Sequence, residues 1–441
     1  MADKILNTVN QHCLDNIMRL TESRNVTTSE DIFDANGIKL LAKGADINLG
    51  IRERLLYHKL HKPLEGSLTV EDGVDQASVL AEANILLEEV PALKVFMNNE
   101  QASIFEILSL ISFQPAATLL LTAAENNREG VFRHGVLVTL IAVSLGVQQK
   151  ISQSELISLA MAGLLHDIGE LYINPIYFDN KHPLNPEEWK HVVVHPRIGQ
   201  LALSELTNYP KTMIEAVGNH HERLDGSGYP RQISGQQISP LSQVLSMAET
   251  LSGIITRKGD VLTRSCLALK CVPGEYPRDL ISIVSTLRRN YSGAPLSADD
   301  NNAEHALSNT HETSRRLADA IFEAKQIALS DLLSPNARDL LHHTENRIVC
   351  LQRAMSATGM DDCNMDESML ASSQEGREVL LEIDVVGREI GWRMRDIARD
   401  LYIRLSNHVP EATHEFSRLI ETLDNRKTAG AAPLQPSPAL S

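Results

Sequence analysis

The sequence predicts a mainly α-helical protein with a small α/β unit at its N-terminal end. Hydrophobic residues make up 43% of the 441 positions but aromatic residues only 4%, which favours helices packed through aliphatic side chains. Apolar residues also recur at helical spacing along most of the chain, as in Ile104, Ile107 and Leu108. The exception is Asn36-Gly37, which lies between apolar residues and is a strong signal for a β-hairpin.

These patterns divide the chain into five segments, with a helical core in the middle. The segments are a small α/β unit (1–75), a helical connector (76–128), the core (129–290), a C-terminal helical region (300–427) and a disordered tail (428–441). A helix from Ile51 to His61, ended by Pro63, is expected in the first segment. The role expected of that segment is packing or dimerisation, with ligand sensing as the alternative. The apolar stripe from Ile383 to Leu405 predicts a helical bundle or a helix that forms a homodimer.

Charge and cysteine content limit the classes of function. The net charge of −16 disfavours long nucleic acid or an anionic membrane as a partner, but not a small anionic ligand held by metals. Five cysteines without a Cys-x-x-Cys motif indicate free thiols in a reducing compartment. The longest apolar run, Gly135 to Val147, is too short to span a bilayer and predicts a buried helix. We therefore expect a cytoplasmic protein without a membrane anchor.

Two motifs combine imidazoles with carboxylates. The first, His166-Asp167, follows an apolar helix, where a buried carboxylate is costly unless it is paired or bound to a metal. The second, His220-His221, opens a stretch that ends in a Gly-x-Gly-Tyr-Pro turn at Pro230. Imidazole and carboxylate are ligands suited to Fe, Mn, Zn or Ni. The two motifs together therefore predict a metal site.

Three further residues are candidate ligands because they stand in the same core. His134 lies at the start of the apolar helix, where a histidine is ordinarily a satisfied core residue. Glu249 lies at the centre of another apolar helix and needs a partner. His191 and His195 share one predicted helix, and we favour only His195, with His191 exposed or supporting.

Other polar residues are assigned less specific roles. Arg257 and Lys258 form the nearest basic cluster downstream, which predicts either contacts to an anionic substrate or a solvated surface. Histidines of the C-terminal region have no carboxylate at ligand spacing and are interpreted as structural or surface residues; they are His305, His311, His342, His343 and His414.

The two motifs together resemble those of a known family. His166-Asp167-Ile168-Gly169 combined with His220-His221-Glu222-x-x-Asp225-Gly226-x-Gly228-Tyr229-Pro230 resembles the HD-GYP family, a subgroup of the HD phosphohydrolases. The resemblance covers residues 129–290. It implies an HD-type all-helical domain with a metal centre, often iron or manganese, that hydrolyses the bacterial second messenger cyclic di-GMP.

The resemblance also implies roles for individual residues. Carried over by position, the metal ligands are His134, His166, Asp167, His195, His220, His221 and Glu249. Asp167 would bridge the metals and, with His166, form the catalytic pair. The loop Gly228-Tyr229-Pro230 would shape the substrate pocket and offer a docking surface for diguanylate cyclases.

Three positions depart from the family pattern. Glu170 replaces a lysine that is thought to contact the scissile phosphate, and a phosphate contact needs a positive group. Glu249 replaces an aspartate. Gly130 stands where members with three metals have an acid, with Glu129 displaced by one residue, so we expect two divalent metal ions, Fe or Mn.

The expected reaction follows from that ligand set. Two divalent ions lower the pKa of a bridging water, and the resulting hydroxide would attack one phosphodiester linkage of cyclic di-GMP. Because Glu170 replaces the lysine thought to contact the phosphate, two alternatives to this reaction stay open. The protein would then bind cyclic di-GMP or other proteins without efficient turnover, or hydrolyse another nucleotide phosphoester.

Overall fold

The computed structural model describes residues 8–179, 181–182, 184–256, 261–291, 300–330, 333–356 and 373–425. The described chain forms two compact units, residues 1–297 and 298–441. Both are built mainly from α-helices, which confirms the predicted fold class. The finer division of the first unit into three segments stays a prediction.

The first unit contains fourteen of the described helices and four short strands. The helices are α1 Gln11–Leu20, α2 Arg52–Tyr57, α3 Gln76–Glu89, α4 Ala92–Met97, α5 Gln101–Ser109, α6 Pro115–Asn127, α7 Val131–Gln148, α8 Gln153–Leu165, α9 Pro186–Val192, α10 His195–Leu206, α11 Lys211–Asn219, α12 Pro240–Ile255, α13 Val261–Cys271 and α14 Arg278–Asn290. The strands are β1 Val26–Thr28, β2 Ile32–Phe33, β3 Lys39–Leu41 and β4 Leu68–Val70.

The strands form two separate antiparallel pairs near the N-terminal end. β1 pairs with β4, and β2 pairs with β3 across the predicted Asn-Gly turn, which confirms the hairpin. Gly37 has φ 84°, a backbone conformation that glycine adopts without a steric penalty. The side chain of Asp34 accepts hydrogen bonds from the backbone N–H groups of Asn36 (2.9 Å) and Ile38 (2.7 Å) and so stabilises this turn.

The helix predicted from Ile51 to His61 is shorter than expected. α2 ends at Tyr57, because the following residues leave the helix to pair with the hairpin. The N–H of His61 donates to the carbonyl of Phe33 at 3.1 Å, and Leu60 forms a bridge with Asp34. Backbone hydrogen bonds to the hairpin therefore replace the last turn of the predicted helix.

Helix α7 is the centre of the first unit. It packs against α8 and α12, and the close approach of α8 depends on Gly163, where a Cβ would lie 2.6 Å from the Oγ1 of Thr139. Among the described residues, only α7 has the length and apolar composition of a membrane span, and 67% of its apolar window is buried within the protein. The predicted buried helix is therefore confirmed, although it begins earlier, at Val131.

Helix α1 is attached to the segment that follows α8. Two side-chain amides make this connection: Asn16 donates to the carbonyl of Leu171 (3.0 Å) and Asn10 to that of Tyr172 (3.2 Å). Asn127 at the end of α6 in turn donates to the carbonyl of Asn16 at 2.9 Å. The N-terminal segment is thus held directly beside the His-Asp motif.

The predicted helix carrying both His191 and His195 is wrong. The structure has two helices instead, because α9 ends at Val192 and α10 begins at His195, with Pro196 in its first turn. Proline lacks an N–H and is tolerated only at the start of a helix. The two histidines therefore do not share one helical face. Asn185 is the N-cap of α9, and its side chain accepts a hydrogen bond from the N–H of Glu188 at 2.8 Å.

The second unit is a helical bundle. Its described helices are α15 Asp300–Ala328, α16 Pro335–Ser356, α17 Gln374–His408 and α18 Thr413–Asp424. The predicted stripe on α17 is buried among the other three helices, as shown by Ile390 and Met394, which agrees with the bundle interpretation. The predicted tail, 428–441, lies outside the described residues.

Candidate metal centre

Seven side chains predicted as ligands converge within the first unit, mostly from helix ends. His166 and Asp167 directly follow α8, and His220 and His221 directly follow α11. The others lie in the first turn of α7, at the start of α10 and in the middle of α12, and they are His134, His195 and Glu249.

The carboxylate of Asp167 lies between two groups of histidines. Its Oδ2 is 3.0 Å from Nε2 of His166 and 3.7 Å from Nε2 of His134. Its Oδ1 is 3.3 Å from Nε2 of His195 and 3.6 Å from Nε2 of His220. Each oxygen thus faces its own pair of ring nitrogens, the arrangement expected of a carboxylate shared by two ions.

The remaining two side chains complete the two groups. Oε2 of Glu249 is 3.1 Å from Nε2 of His134 and 3.5 Å from Nε2 of His166. His221 belongs to the other group, in which its ligand atom lies within 4.8 Å of those of Asp167, His195 and His220. Two adjoining sets of possible ligands therefore share Asp167.

Backbone carbonyl groups determine the tautomer of three histidines. Nδ1 of His166 donates to the carbonyl of Gly163 at 2.8 Å. Nδ1 of His195 and Nδ1 of His220 likewise donate to the carbonyls three residues earlier, at 2.8 and 2.7 Å. Because a carbonyl only accepts, each neutral ring carries its proton on Nδ1 and turns an Nε2 lone pair towards Asp167. Metal-binding histidines are oriented in this way.

The arrangement fits a divalent metal ion better than a hydrogen-bonded core. Nε2 of His166 and Oε2 of Glu249 are buried and have no hydrogen-bond partner among the described residues. Nε2 of His195 and Nε2 of His220 lie only 3.2 Å apart although both are set up as acceptors. Buried polar atoms are ordinarily satisfied, so these four atoms need a cation or a proton between them. Nitrogen and carboxylate donors suit Fe, Mn or Zn.

The electrostatics keep the carboxylates ionised. Burial would raise the pKa of Glu249, but His134 and His166 lower it to about 2. Burial would likewise raise the pKa of Asp167, but His166 holds it well below the ordinary value. Burial lowers the pKa of His220 to about 4, against the opposing effect of Asp167. Burial would lower the pKa of His166, but Asp167 raises it to about 10, so metal binding at this ring releases a proton. Ionised carboxylates and a neutral imidazole such as that of His220 are the protonation states that bind metal.

The two carboxylates of the Gly-Tyr-Pro motif do not join the cluster. Oε1 of Glu222 accepts from the backbone N–H of Arg231 at 2.7 Å, and Oδ1 of Asp225 accepts from the N–H of Ser227 at 3.0 Å. Both acids therefore stabilise the loop that follows the two histidines rather than offering ligands.

The Gly-Tyr-Pro loop itself packs directly on the histidines. The ring of Tyr229 stacks on His221 with centroids 4.5 Å apart, and Trp189 meets the same tyrosine edge-on at 5.9 Å. Gly228 is buried, and a Cβ there would lie 2.4 Å from the carbonyl oxygen of His221. Tyr229 and Pro230 are partly exposed. The loop thus forms one wall of the site.

Glu170, which stands in place of the family lysine, is paired with an arginine. Its carboxylate accepts a hydrogen bond from Nη2 of Arg128, at the junction between α6 and α7. Burial raises the pKa of Glu170 to about 7, Asp167 adds to the rise, and Arg128 opposes it. The sequence interpretation missed Arg128, although its charge is opposite to that of Glu170 and it lies six residues before the first candidate ligand, His134.

The other predicted site residues lie away from the cluster or outside the described chain. Arg257 and Lys258 are not among the described residues. His191 is exposed and stacks on Tyr177, with centroids 5.5 Å apart. Within the part of the second unit that the structure describes, no histidine belongs to a group of possible metal ligands.

Comparison with known proteins supports the resemblance. Residues 118–264 match the family model described as HD domain. A Vibrio cholerae protein named 3′3′-cGAMP-specific phosphodiesterase 3 is 33% identical over 27% of this chain and 26% of its own length. A Pseudomonas aeruginosa protein named as a cyclic di-GMP phosphodiesterase is 28% identical over 34% of this chain and 36% of its own length. The matched region thus spans about a third of these relatives.

A solved structure is also similar, Bd1817, an HDG"Y"P protein from Bdellovibrio bacteriovorus. It is 19% identical, covers 60% of this chain and 94% of its own length, and gives a TM-score of 0.33, which is too low to show a shared fold. The HD domain match, the phosphodiesterase relatives and the retained His-Asp and Gly-Tyr-Pro signatures show that residues 118–264 form an HD domain of the HD-GYP type.

Proposed function

We propose that this protein is a metal-dependent phosphodiesterase that hydrolyses cyclic di-GMP. The observation that carries the proposal is the carboxylate of Asp167, each of whose oxygens faces a separate set of histidine Nε2 atoms. The relatives named as cyclic di-GMP phosphodiesterases support the substrate. The buried acceptors without hydrogen-bond partners support the need for metal.

The proposed ligands are the seven side chains described above, and Asp167 would contribute to both groups. When bound, divalent ions supply positive charge for the phosphate oxygens and lower the pKa of water to near neutrality. The chain contributes the orientation of the rings, through the Nδ1–H donors of His166, His195 and His220. The ring of Tyr229 stacks on His221 and so holds the orientation of this imidazole.

Two ions, Fe or Mn, fit this chain better than three. The possible ligands form two groups that share Asp167. Gly130, at the position where a third metal would need an acid, is the N-cap of α7, and the neighbouring Glu129 is exposed. Neither residue offers a carboxylate to the cluster.

A second candidate substrate is another cyclic dinucleotide. The relative that is 33% identical is named for 3′3′-cGAMP, which shares the paired phosphodiester linkages of cyclic di-GMP.

The cytoplasm is the location that we propose. Docking of diguanylate cyclases on Tyr229 and Pro230 remains a proposal that the partial exposure of these residues permits. Binding without turnover is the remaining alternative, suggested by Glu170.

The test is a cleavage assay on full-length protein purified without oxygen and loaded with Mn²⁺ or Fe²⁺. Cyclic di-GMP and 3′3′-cGAMP are offered separately, and metal content is measured on the same samples. We expect conversion of cyclic di-GMP to a linear dinucleotide, and its loss in Asp167→Asn. His191→Ala serves as the matched control and retains turnover. Fully metallated protein that cleaves neither dinucleotide would refute the proposal.

A further inference from the structure

A cavity of about 210 Å³ lies beside the candidate metal centre and opens to the surface. Asp167 and Glu170 form its inner side. Its outer side comes from α1, from the junction of α6 and α7, and from the segment after α8, through Asn16, Arg19, Asn127, Arg128, Phe178 and Asp179. We call this cavity the arginine cleft, after Arg19 and Arg128.

The contacts of Arg128 orient its side chain but use only part of its hydrogen-bond donors. Its Nη2 donates to Glu170, and its guanidinium carbon lies 5.0 Å from the ring centroid of Phe178. Its other guanidinium N–H groups have no hydrogen-bond partner within the part of the chain that the structure describes. A guanidinium carries five donors in a planar fork that matches a phosphate group. Arg128 therefore keeps donors for an anion while Glu170 and Phe178 hold it in place.

Arg19 brings a second guanidinium to the same cleft. It lies in the last turn of α1, three residues after Asn16, so both side chains share a helical face. The hydrogen bonds of Asn16 to Leu171 and of Asn127 to Asn16 anchor that face against the segment that follows Asp167. Arg19 is exposed, and no described residue forms a salt bridge with its side chain.

We propose that Arg19 and Arg128 bind a phosphate group of the substrate, so that helix α1 forms part of the substrate site. This inference rests on the proposed phosphodiesterase function. The cleft is smaller than the cavities of about 300–1,000 Å³ that enclose whole ligands, so it accommodates a phosphate and its sugar rather than a complete dinucleotide. Glu170 then acts as a positioning residue for Arg128, which supplies the positive charge that is absent from position 170.

The experiment compares kcat, KM and metal content of Arg19→Ala and Arg128→Ala in the full-length, metal-loaded protein with cyclic di-GMP. Loss of a charged hydrogen bond predicts a rise in KM of about 10- to 100-fold for each variant. Metal content and unfolding temperature are expected to stay unchanged, and lysine at either position is expected to restore part of the affinity. An unchanged KM in both folded, metallated alanine variants would overturn the inference.

Two arginines outside the cleft serve as controls. Arg133 lies on α7 and pairs with Glu82 and Glu89, and Arg54 lies exposed on α2. Alanine at either position is expected to leave KM unchanged, which separates a local effect from a change in net charge. If Arg128→Ala is poorly folded because Glu170 loses its partner, the double variant Arg128→Ala/Glu170→Gln removes both charges and is measured instead.

Failure of the inference differs from failure of the proposed function. If the wild-type protein binds metal but cleaves no cyclic dinucleotide, the function fails, and equilibrium binding of cyclic di-GMP then tests the cleft alone. Weaker binding in Arg19→Ala and Arg128→Ala, with Arg54→Ala unchanged, would still support the arginine cleft. Equal binding by all variants would refute it.

Discussion

His195 and His220 face each other with their Nε2 atoms 3.2 Å apart, and each donates its Nδ1 proton to a backbone carbonyl of the helix or turn before it. When both rings are neutral, the two Nε2 atoms held in this way present lone pairs to one another. The free energy of folding must therefore include a cost for this contact unless a metal ion or a proton lies between the rings. A bound metal ion relieves that cost, so metal binding and folding stability are linked.

The first prediction concerns this link. Addition of Mn²⁺ to metal-free protein is expected to raise the unfolding temperature, because a ligand that binds only the folded state stabilises it by about 2.7 kcal/mol at 100 times its Kd. His220→Ala is expected to lower metal content and to reduce the shift. The measurement is thermal unfolding with and without metal, together with metal analysis.

His191→Ala is the matched control for that experiment. It removes an exposed imidazole that stacks on Tyr177 away from the cluster, so metal content and the metal-induced shift should remain as in the wild type. Equal metal content in His220→Ala and wild type would contradict the assignment of His220.

The second prediction concerns Glu170. Restoring the family residue with Glu170→Lys would place a second cation against Arg128 in a mostly buried position. We expect lower stability, by about 1–3 kcal/mol after allowance for the partial exposure of Arg128, and no gain in turnover. Glu170→Gln, which keeps the shape of the side chain, is expected to lower stability less than Glu170→Lys. The measurements are denaturant unfolding and the cleavage assay, and increased turnover in Glu170→Lys would show that the arginine does not replace the lysine.

The third prediction concerns Gly169, which allows the His-Asp motif to approach α10. A Cβ at this position would lie 2.0 Å from the carbonyl oxygen of His195 and 2.7 Å from the N–H nitrogen of Gly199. Since both are backbone atoms, Gly169→Ala must displace α10, and we expect a loss of about 3 kcal/mol in stability and lower metal content.

Gly253→Ala is the control for that substitution. Gly253 lies in α12 with open space around its Cβ position, so alanine there should stabilise the protein by about 0.5–1 kcal/mol through helix propensity. Chemical denaturation of both variants provides the comparison. Similar stability in the two variants would contradict the close approach at Gly169.

The fourth prediction concerns the contribution of Glu65 to the pH dependence of folding stability. This carboxyl is buried beside Cys13 and Tyr172; burial raises its pKa above the ordinary 4.5, and the two neighbours oppose the rise. The folded state therefore holds a proton that the unfolded state releases, so stability falls as pH increases from about 4.5 through the raised pKa. Glu65→Gln is expected to remove this decrease.

The difference in unfolding free energy between wild type and Glu65→Gln, measured across pH, tests this expectation. Glu30 gives the opposite sign, because its hydrogen bond with Lys62 lowers its pKa, so its contribution is lost as pH falls. A difference curve for Glu65→Gln that is flat, or that has the sign expected for Glu30, would refute the prediction.

Some features of this protein were predictable because their determinants are close together in sequence. Asn36-Gly37 identifies a hairpin because the turn is decided by its own residues. The carboxylate and imidazole types at His166, Asp167 and His220 identify a metal site for a similar reason, since ligand chemistry is a property of the side chain. His134 and Glu249 were candidates because they lie on apolar helices of the same core, and the resemblance assigned them as ligands.

The sequence by itself therefore determined the helical fold class, the hairpin and the family of the core. Only the tertiary structure decided that Arg128 pairs with Glu170, that Glu222 turns away from the cluster, and that Arg19 of the N-terminal segment reaches the same cleft. The physical reason is the separation along the sequence of the residues that interact. Turns, caps and periodicity depend on neighbours a few residues away, whereas these contacts join elements whose relative positions result from the packing of the whole core.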